Sequence, residues 1–115
     1  MQQQEKVAKL VQWFARGALR HAEALEAMQE EAALGLVENL DRFYASMKRE
    51  DGLEIFLTLL DHEDSAVAGM AAVYAMREAP DRCAAVLGKI AQSPDLLGFR
   101  AQAALDRWKS GDWPR

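Results

Sequence analysis

The sequence predicts an all-α fold, a stack of about six helices in one domain. Three observations carry this expectation. Apolar residues recur at helical spacing, i, i+3, i+4 and i+7, beginning with Val7, Leu10, Val11 and Phe14. No alternating run of β-branched residues occurs in the sequence, and no Asn-Gly or Asp-Gly joins two such runs. The stretch from Leu53 to Glu78 reads as two short helices around an acidic turn. The first carries Leu53, Phe56, Leu57 and Leu60 on one face, and the second carries Val67, Met70, Ala71 and Tyr74. Nearly every other position of that second helix is small or apolar, as expected of a helix with neighbours on several sides.

The elements follow in order. A long helix is expected from about Gln3 to Ala27, with Val7, Leu10, Val11, Phe14, Ala18, Ala22 and Leu25 along one stripe. Gly17 lowers its intrinsic stability by about 1 kcal/mol relative to Ala, so it should make room for the Trp13 indole or for a neighbouring helix. A second helix, from about Glu30 to Lys48, buries Ala33, Leu36, Val37, Leu40, Phe43, Tyr44 and Met47. No Pro or Gly marks the break, and a single helix from Gln3 to Lys48 is the rival reading. Folding back at Met28 to Glu30 covers both apolar stripes and is preferred.

Arg49 to Gly52 is a polar turn before the third helix. Asp64 or Ser65 should cap the fourth, which runs to Glu78 before Ala79-Pro80-Asp81 ends it. The fifth, from about Asp81 to Gln92, buries Cys83, Val86, Leu87 and Ile90. Ser93-Pro94 has the form of a helix start, with Ser as cap and Pro in the first turn. The sixth helix buries Leu97, Ala101, Ala104, Leu105 and Trp108, and Gly111 stops it. The organisation is one domain over residues 1–115: a long N-terminal pair at about 3–48, two shorter pairs at about 52–109 and a tail at 110–115.

Composition narrows the function classes. The chain has 115 residues, half of them hydrophobic, enough for one core without metals or disulfides. Its formal net charge is -4, which disfavours a dedicated nucleic-acid binder and is compatible with a basic protein partner. The lone Cys83 makes no internal disulfide. The N-terminal MQQQEKVAK lacks the apolar stretch of a signal peptide, so a cytoplasmic location is expected. No apolar run approaches the roughly 20 residues that span a bilayer.

Candidate chemistry is sparse. His62 stands among Asp61, Glu63 and Asp64, but consecutive turn residues converge poorly on one ion, and His21 is far away in sequence. Turn capping, or donation to a carbonyl at the end of the third helix, is the expected role. Cys83 sits on an apolar stripe without an activating His. Neither GxGxxG nor GxxxxGK[ST] occurs. No catalytic residue, metal ligand or cofactor site is therefore expected. The residues expected to form an interface are the aromatics Trp13, Phe99 and Trp113 and the acids Glu38 and Asp41. Packing against neighbours is the competing role for the aromatics, more so for Phe99 than for Trp113.

The segment Leu59-Leu60-Asp61-His62, with Asp64, Val67, Ala71 and Ala72, resembles the turn and second helix of a HEAT repeat. Ala68 stands where those repeats usually carry Arg. With Ala79-Pro80, Val86-Leu87, Leu96-Leu97-Gly98-Phe99, Ala101, Leu105, Trp108 and Gly111, the chain resembles a small bacterial family of HEAT-like α–α superhelices catalogued as a domain of unknown function. The resemblance implies a superhelical fold without established enzymatic chemistry. Related small helical-repeat proteins include bacterial immunity proteins that neutralise toxins. The expectation is thus a non-catalytic protein-binding module, with toxin neutralisation as its specific form. Two alternatives remain: a nucleic-acid-associated protein using Arg100, Arg107, Lys109 and Arg115, and an enzyme with a pocket between helices, which a buried carboxylate or histidine in a cleft would favour.

Overall fold

The computed structural model describes residues 2–113 of the chain. The expected all-α fold is found: six helices and no strand among the described residues. Helix α1 spans Gln2–Glu26 and α2 spans Glu30–Arg49. Helix α3 (Leu53–Phe56) tightens into a 3-10 turn over Leu57–Asp61. Helices α4 (Ser65–Tyr74), α5 (Pro80–Ile90) and α6 (Leu96–Lys109) follow. The 25 residues of α1 run about 37 Å, which sets most of the 42 Å long dimension.

The α1–α2 break uses a device that the sequence did not advertise. Met28 adopts φ 59°, the left-handed conformation usually left to glycine. Its N–H bonds the Leu25 carbonyl at 3.1 Å, and the Gln29 N–H reaches back to Ala24 at 2.8 Å. This pair of bonds is a Schellman cap, which satisfies carbonyls that the helix end would otherwise leave open. The chain then turns back, and the stripes of α1 and α2 close on each other. Their contact is tight at Gly17, where an added Cβ would lie 2.9 Å from Leu40 Cδ2. Gly17 therefore admits the neighbouring helix, not the Trp13 indole. Asp51, at φ 55°, ends α2 in the same manner, with Asp51 N–H to Lys48 at 3.1 Å and Gly52 N–H to Met47 at 2.9 Å.

Rings from four elements meet in the core. Phe14 of α1 packs edge-on against Phe56 at 4.8 Å and against Tyr74 at 5.1 Å. Tyr44 of α2 packs against the same two rings at 5.0 and 5.4 Å. Tilted and edge-on ring pairs of this kind add about 0.5–1.5 kcal/mol each beyond area burial. Helix α4 lies beside this cluster and is buried over most of its circumference: Val67, Ala68, Gly69, Ala71 and Ala72 are all buried. Ala68, which stands where HEAT repeats usually carry Arg, is 5% exposed. The α4 N-terminus is capped by Asp64, whose Oδ1 accepts the Ala66 N–H at 2.9 Å.

Two boundaries differ from expectation. Helix α4 stops at Tyr74, and residues 75–78 are turn. The start of α6 is not Ser93-Pro94. Asp95 is its cap, in extended conformation, accepting the Gly98 N–H at 2.9 Å. Ser93 stays in the preceding turn, its N–H bonded to the Ile90 carbonyl at 3.0 Å. Asp and Ser rank alike as caps; what separates them here is the close approach of Gly98 to the Ser93 carbonyl, which goes with a helix starting after Asp95.

Candidate functional site

Helix α4 packs on α1, α5 and α6, whereas α2 packs chiefly on α1. Space remains over α4 between α2 and α6, and it forms a groove of about 790 Å³. Each bordering helix contributes one helical stripe: Val37, Asp41, Tyr44, Ala45 and Lys48 from α2; Ala66, Gly69, Met70 and Val73 from α4; Leu97, Arg100, Ala101, Ala104 and Arg107 from α6. Small residues at Ala45, Gly69, Ala101 and Ala104 keep it open. Ala18 and His21 of α1 line it near the α1–α2 turn.

The groove holds more cationic than anionic side chains. Its acids are both engaged: Asp41 accepts the Tyr74 hydroxyl, and Glu78 pairs with Lys48 at 2.9 Å. Lys48 also sits 5.6 Å from the centre of the Tyr44 ring. Arg77 donates to the Trp113 carbonyl at 3.2 Å. Among the described residues, neither Arg100 nor Arg107 has a carboxylate within ion-pair distance. Arg100 is half-buried, and burial lowers its pKa from the usual guanidinium value.

Among the described residues, two buried polar atoms of groove-lining side chains lack a hydrogen-bond partner. One is Nδ1 of His21, a residue only 5% exposed. The other is the Tyr44 hydroxyl. Burial lowers the His21 pKa, and the nearby Arg100 charge lowers it further. Burial pushes the Tyr44 hydroxyl up to about 12, helped by Glu78 and Cys83. Both groups are therefore neutral near pH 7, and neither unpaired atom is open to the groove. Leaving such a buried group unpaired costs about 1–3 kcal/mol, and each instance requires an explanation.

The five residues expected at an interface are not brought together. Asp41 and Trp113 line the groove. Trp113 is half-buried against Trp108, with ring centres 5.7 Å apart. Phe99 is 73% exposed, so the expectation that it would pack more readily than Trp113 is reversed. The reason is register: Phe99 lies on the α6 face opposite Ala101 and Leu105, and no other described element covers that face. Trp13 is 45% exposed, lies 5.8 Å from Phe43 and borders a separate shallow depression. Glu38 is exposed and outside the groove. Of the basic residues weighed for nucleic acid, Arg100 and Arg107 line the groove, Lys109 does not, and Arg115 lies outside the described residues.

Sequence reasoning missed His21, Tyr44 and Arg77. A signal existed for His21: it follows Phe14 and Ala18 at i+7 and i+3, a polar ring on a core stripe. The acidic turn has an internal explanation. His62 Nδ1 accepts the Asp64 N–H at 3.0 Å instead of donating to a carbonyl, and it braces the α4 cap. No cluster of three or more His, Cys, Asp or Glu suited to a metal occurs among the described residues. No helix there is long and apolar enough to cross a membrane. Comparison of the chain with protein-family models, curated proteins and solved structures finds no match.

Proposed function

We propose that this is a non-catalytic protein-binding module whose working surface is the groove between α2 and α6. The observation that carries the reading is the groove itself, an open trough lined by one stripe from each of three helices. Grooves of this shape suit a chain segment laid along them, with apolar walls for its side chains. The resemblance to HEAT-like bacterial proteins points the same way and adds toxin neutralisation as a specific form of the function.

An enzyme is the second reading, favoured by the buried His21 in the cleft. Catalysis by a histidine ordinarily needs an orienting acceptor and a nucleophile within hydrogen-bond reach. The unpartnered Nδ1 supplies neither, so binding is the better account.

The test is retention of partners from a lysate of the native host by the wild-type chain and by Ala45→Trp, which fills the groove from an exposed position on α2. The expected result is a protein held by the wild type and lost from the filled variant. Equal retention by both, or recovery of nucleic acid alone, would overturn the reading.

A further inference from the structure

Resting on the reading of the groove as a docking site, we infer that its end beside the α1–α2 turn is a carboxylate subsite: Arg100 takes an acidic side chain of a partner's peptide segment, and Val37 and Leu97 receive its apolar neighbour.

Position carries the first part of the argument. His21 occupies the buried stripe of α1 and, at 5% exposure, closes this end of the groove. Its unpartnered Nδ1 is sealed inside the protein, so a polar contact to an occupant must come from another element.

Arg100 carries the second part. It reaches the groove from α6 and lies near enough for its charge to act on His21. Arg100 is half-buried and has no carboxylate partner among the described residues. Its planar fork of donors matches a carboxylate in two-point contact. The partly apolar surroundings of Leu97 and Ala101 strengthen such a contact relative to open water.

The third part is charge complementarity. Lys48, Arg77, Arg100 and Arg107 face two acids, Asp41 and Glu78, both already engaged. The groove is cationic although the chain carries -4 overall. Its occupant is therefore acidic where it meets α6, in contrast to the basic partner that the net charge alone suggests. The trough continues past Tyr44 and Ala45 to Lys48 and Trp113, farther than one small acid needs.

The experiment is selection from a phage-displayed library of random dodecapeptides on the wild type, on Arg100→Gln and on Ala45→Trp. The pool recovered on the wild type should be enriched in Asp or Glu beside a large apolar residue. That enrichment should vanish on Arg100→Gln, and Ala45→Trp should recover no pool. A selected, labelled peptide should lose about tenfold or more in affinity on Arg100→Gln. Replacing its acid by the amide should cause an equal loss against the wild type and little further loss against the variant. Arg100→Lys, which keeps the charge but not the planar fork, should weaken the same peptide less than Arg100→Gln and serves as the reporter if Arg100→Gln is misfolded by circular dichroism. A wild-type pool without acidic preference, or one unchanged on Arg100→Gln, overturns the subsite and leaves the docking reading standing. A pool equal on the wild type and Ala45→Trp overturns both. Hexanoate bound as tightly as the peptide assigns the subsite to a free small acid and also overturns the inference.

Discussion

Gly98 lies so close to Ser93 that a Cβ on it would meet the Ser93 carbonyl oxygen at 1.9 Å. The Ile90 carbonyl oxygen would stand 3.1 Å away on the same side. Helix α6 therefore presses directly onto the end of α5 through a glycine with backbone as its neighbour. Ala is the better helix former by about 1 kcal/mol, so Gly98→Ala sets propensity against sterics. The obstacle is backbone on both counts, and sterics should win. The expected outcome is a net loss of about 1–3 kcal/mol in urea unfolding. Gly35 and Gly88 are the controls, since a Cβ at either meets nothing within 4 Å. Ala at those positions should raise stability by up to about 1 kcal/mol, and a gain at Gly98 as well would contradict the packing described.

Met28 and Asp51 make a paired prediction about helix ends. Both hold positive φ, and Met28 is 88% exposed, so its replacement gives up almost no packing. Left-handed backbone costs an ordinary residue about 1–2 kcal/mol, and glycine's extra unfolded-state entropy offsets about 0.4–1 kcal/mol of the relief. Met28→Gly should therefore stabilise by several tenths of a kcal/mol to about 1 kcal/mol. Asp tolerates this region better, so Asp51→Gly should gain less. Urea midpoints of the two variants check the order.

These two sites show where the sequence was legible and where it was not. Helical periodicity located every helix, because the apolar stripes of Val7 to Phe14 or Leu36 to Met47 are repeated over many turns. The α1–α2 break followed from the need to cover both stripes, although its cap residue, Met28, has no turn preference. The α6 start was misplaced because Ser93-Pro94 and Asp95 are competing local signals, and only the approach to Gly98 decides between them. The groove was less legible. His21, Tyr44 and Arg100 are separated in sequence, and what joins them is the lateral placement of α2 against α6, which periodicity does not encode. Asp41 and Trp113 were expected at an interface, but their partners Tyr74 and Trp108 emerged only with the fold.

The contrast between Phe99 and Phe14 separates surface from core. Phe99 is 73% exposed, whereas Phe14 is 1% exposed at the centre of the ring cluster. Phe99→Ser should change stability by no more than about 0.5 kcal/mol. Phe14→Ala should cost about 3–5 kcal/mol, from lost transfer energy and the cavity left behind. Thermal or urea unfolding of the two variants gives the comparison, and a large loss at Phe99 would place that ring inside an interface of the free protein.

Cys83 should be chemically quiet in the folded chain. It is fully buried, and burial pushes its thiol up to about 11, against a smaller lowering by Arg82. The thiolate is the reactive form, so both access and ionisation oppose modification. A disulfide reagent at neutral pH should label the native protein slowly, with a rate that rises as urea opens the chain. Immediate stoichiometric labelling without denaturant would contradict the burial.

His21 makes stability depend on pH in a defined direction. Burial and then the Arg100 charge depress its pKa in the fold, whereas the unfolded chain titrates near the ordinary value of about 6.5. As pH falls through that value, the unfolded state takes up the proton first and therefore binds more protons than the native state. Stability rises with pH wherever this holds, so the His21 contribution is intact above about 6.5 and is lost as pH falls toward the folded pKa. Asp95 acts in the same direction in a lower window. Its carboxylate accepts the Gly98 N–H and a bond from the Ser93 hydroxyl, which hold its pKa below the usual carboxylate range. The urea midpoint of the wild type should thus fall between about pH 8 and pH 5 through the His21 term. His21→Leu should remove that part of the slope. Arg100→Gln, by taking away the charge that helps depress the imidazole, should flatten it partway. An unchanged slope in His21→Leu would show that the imidazole does not titrate as its burial requires.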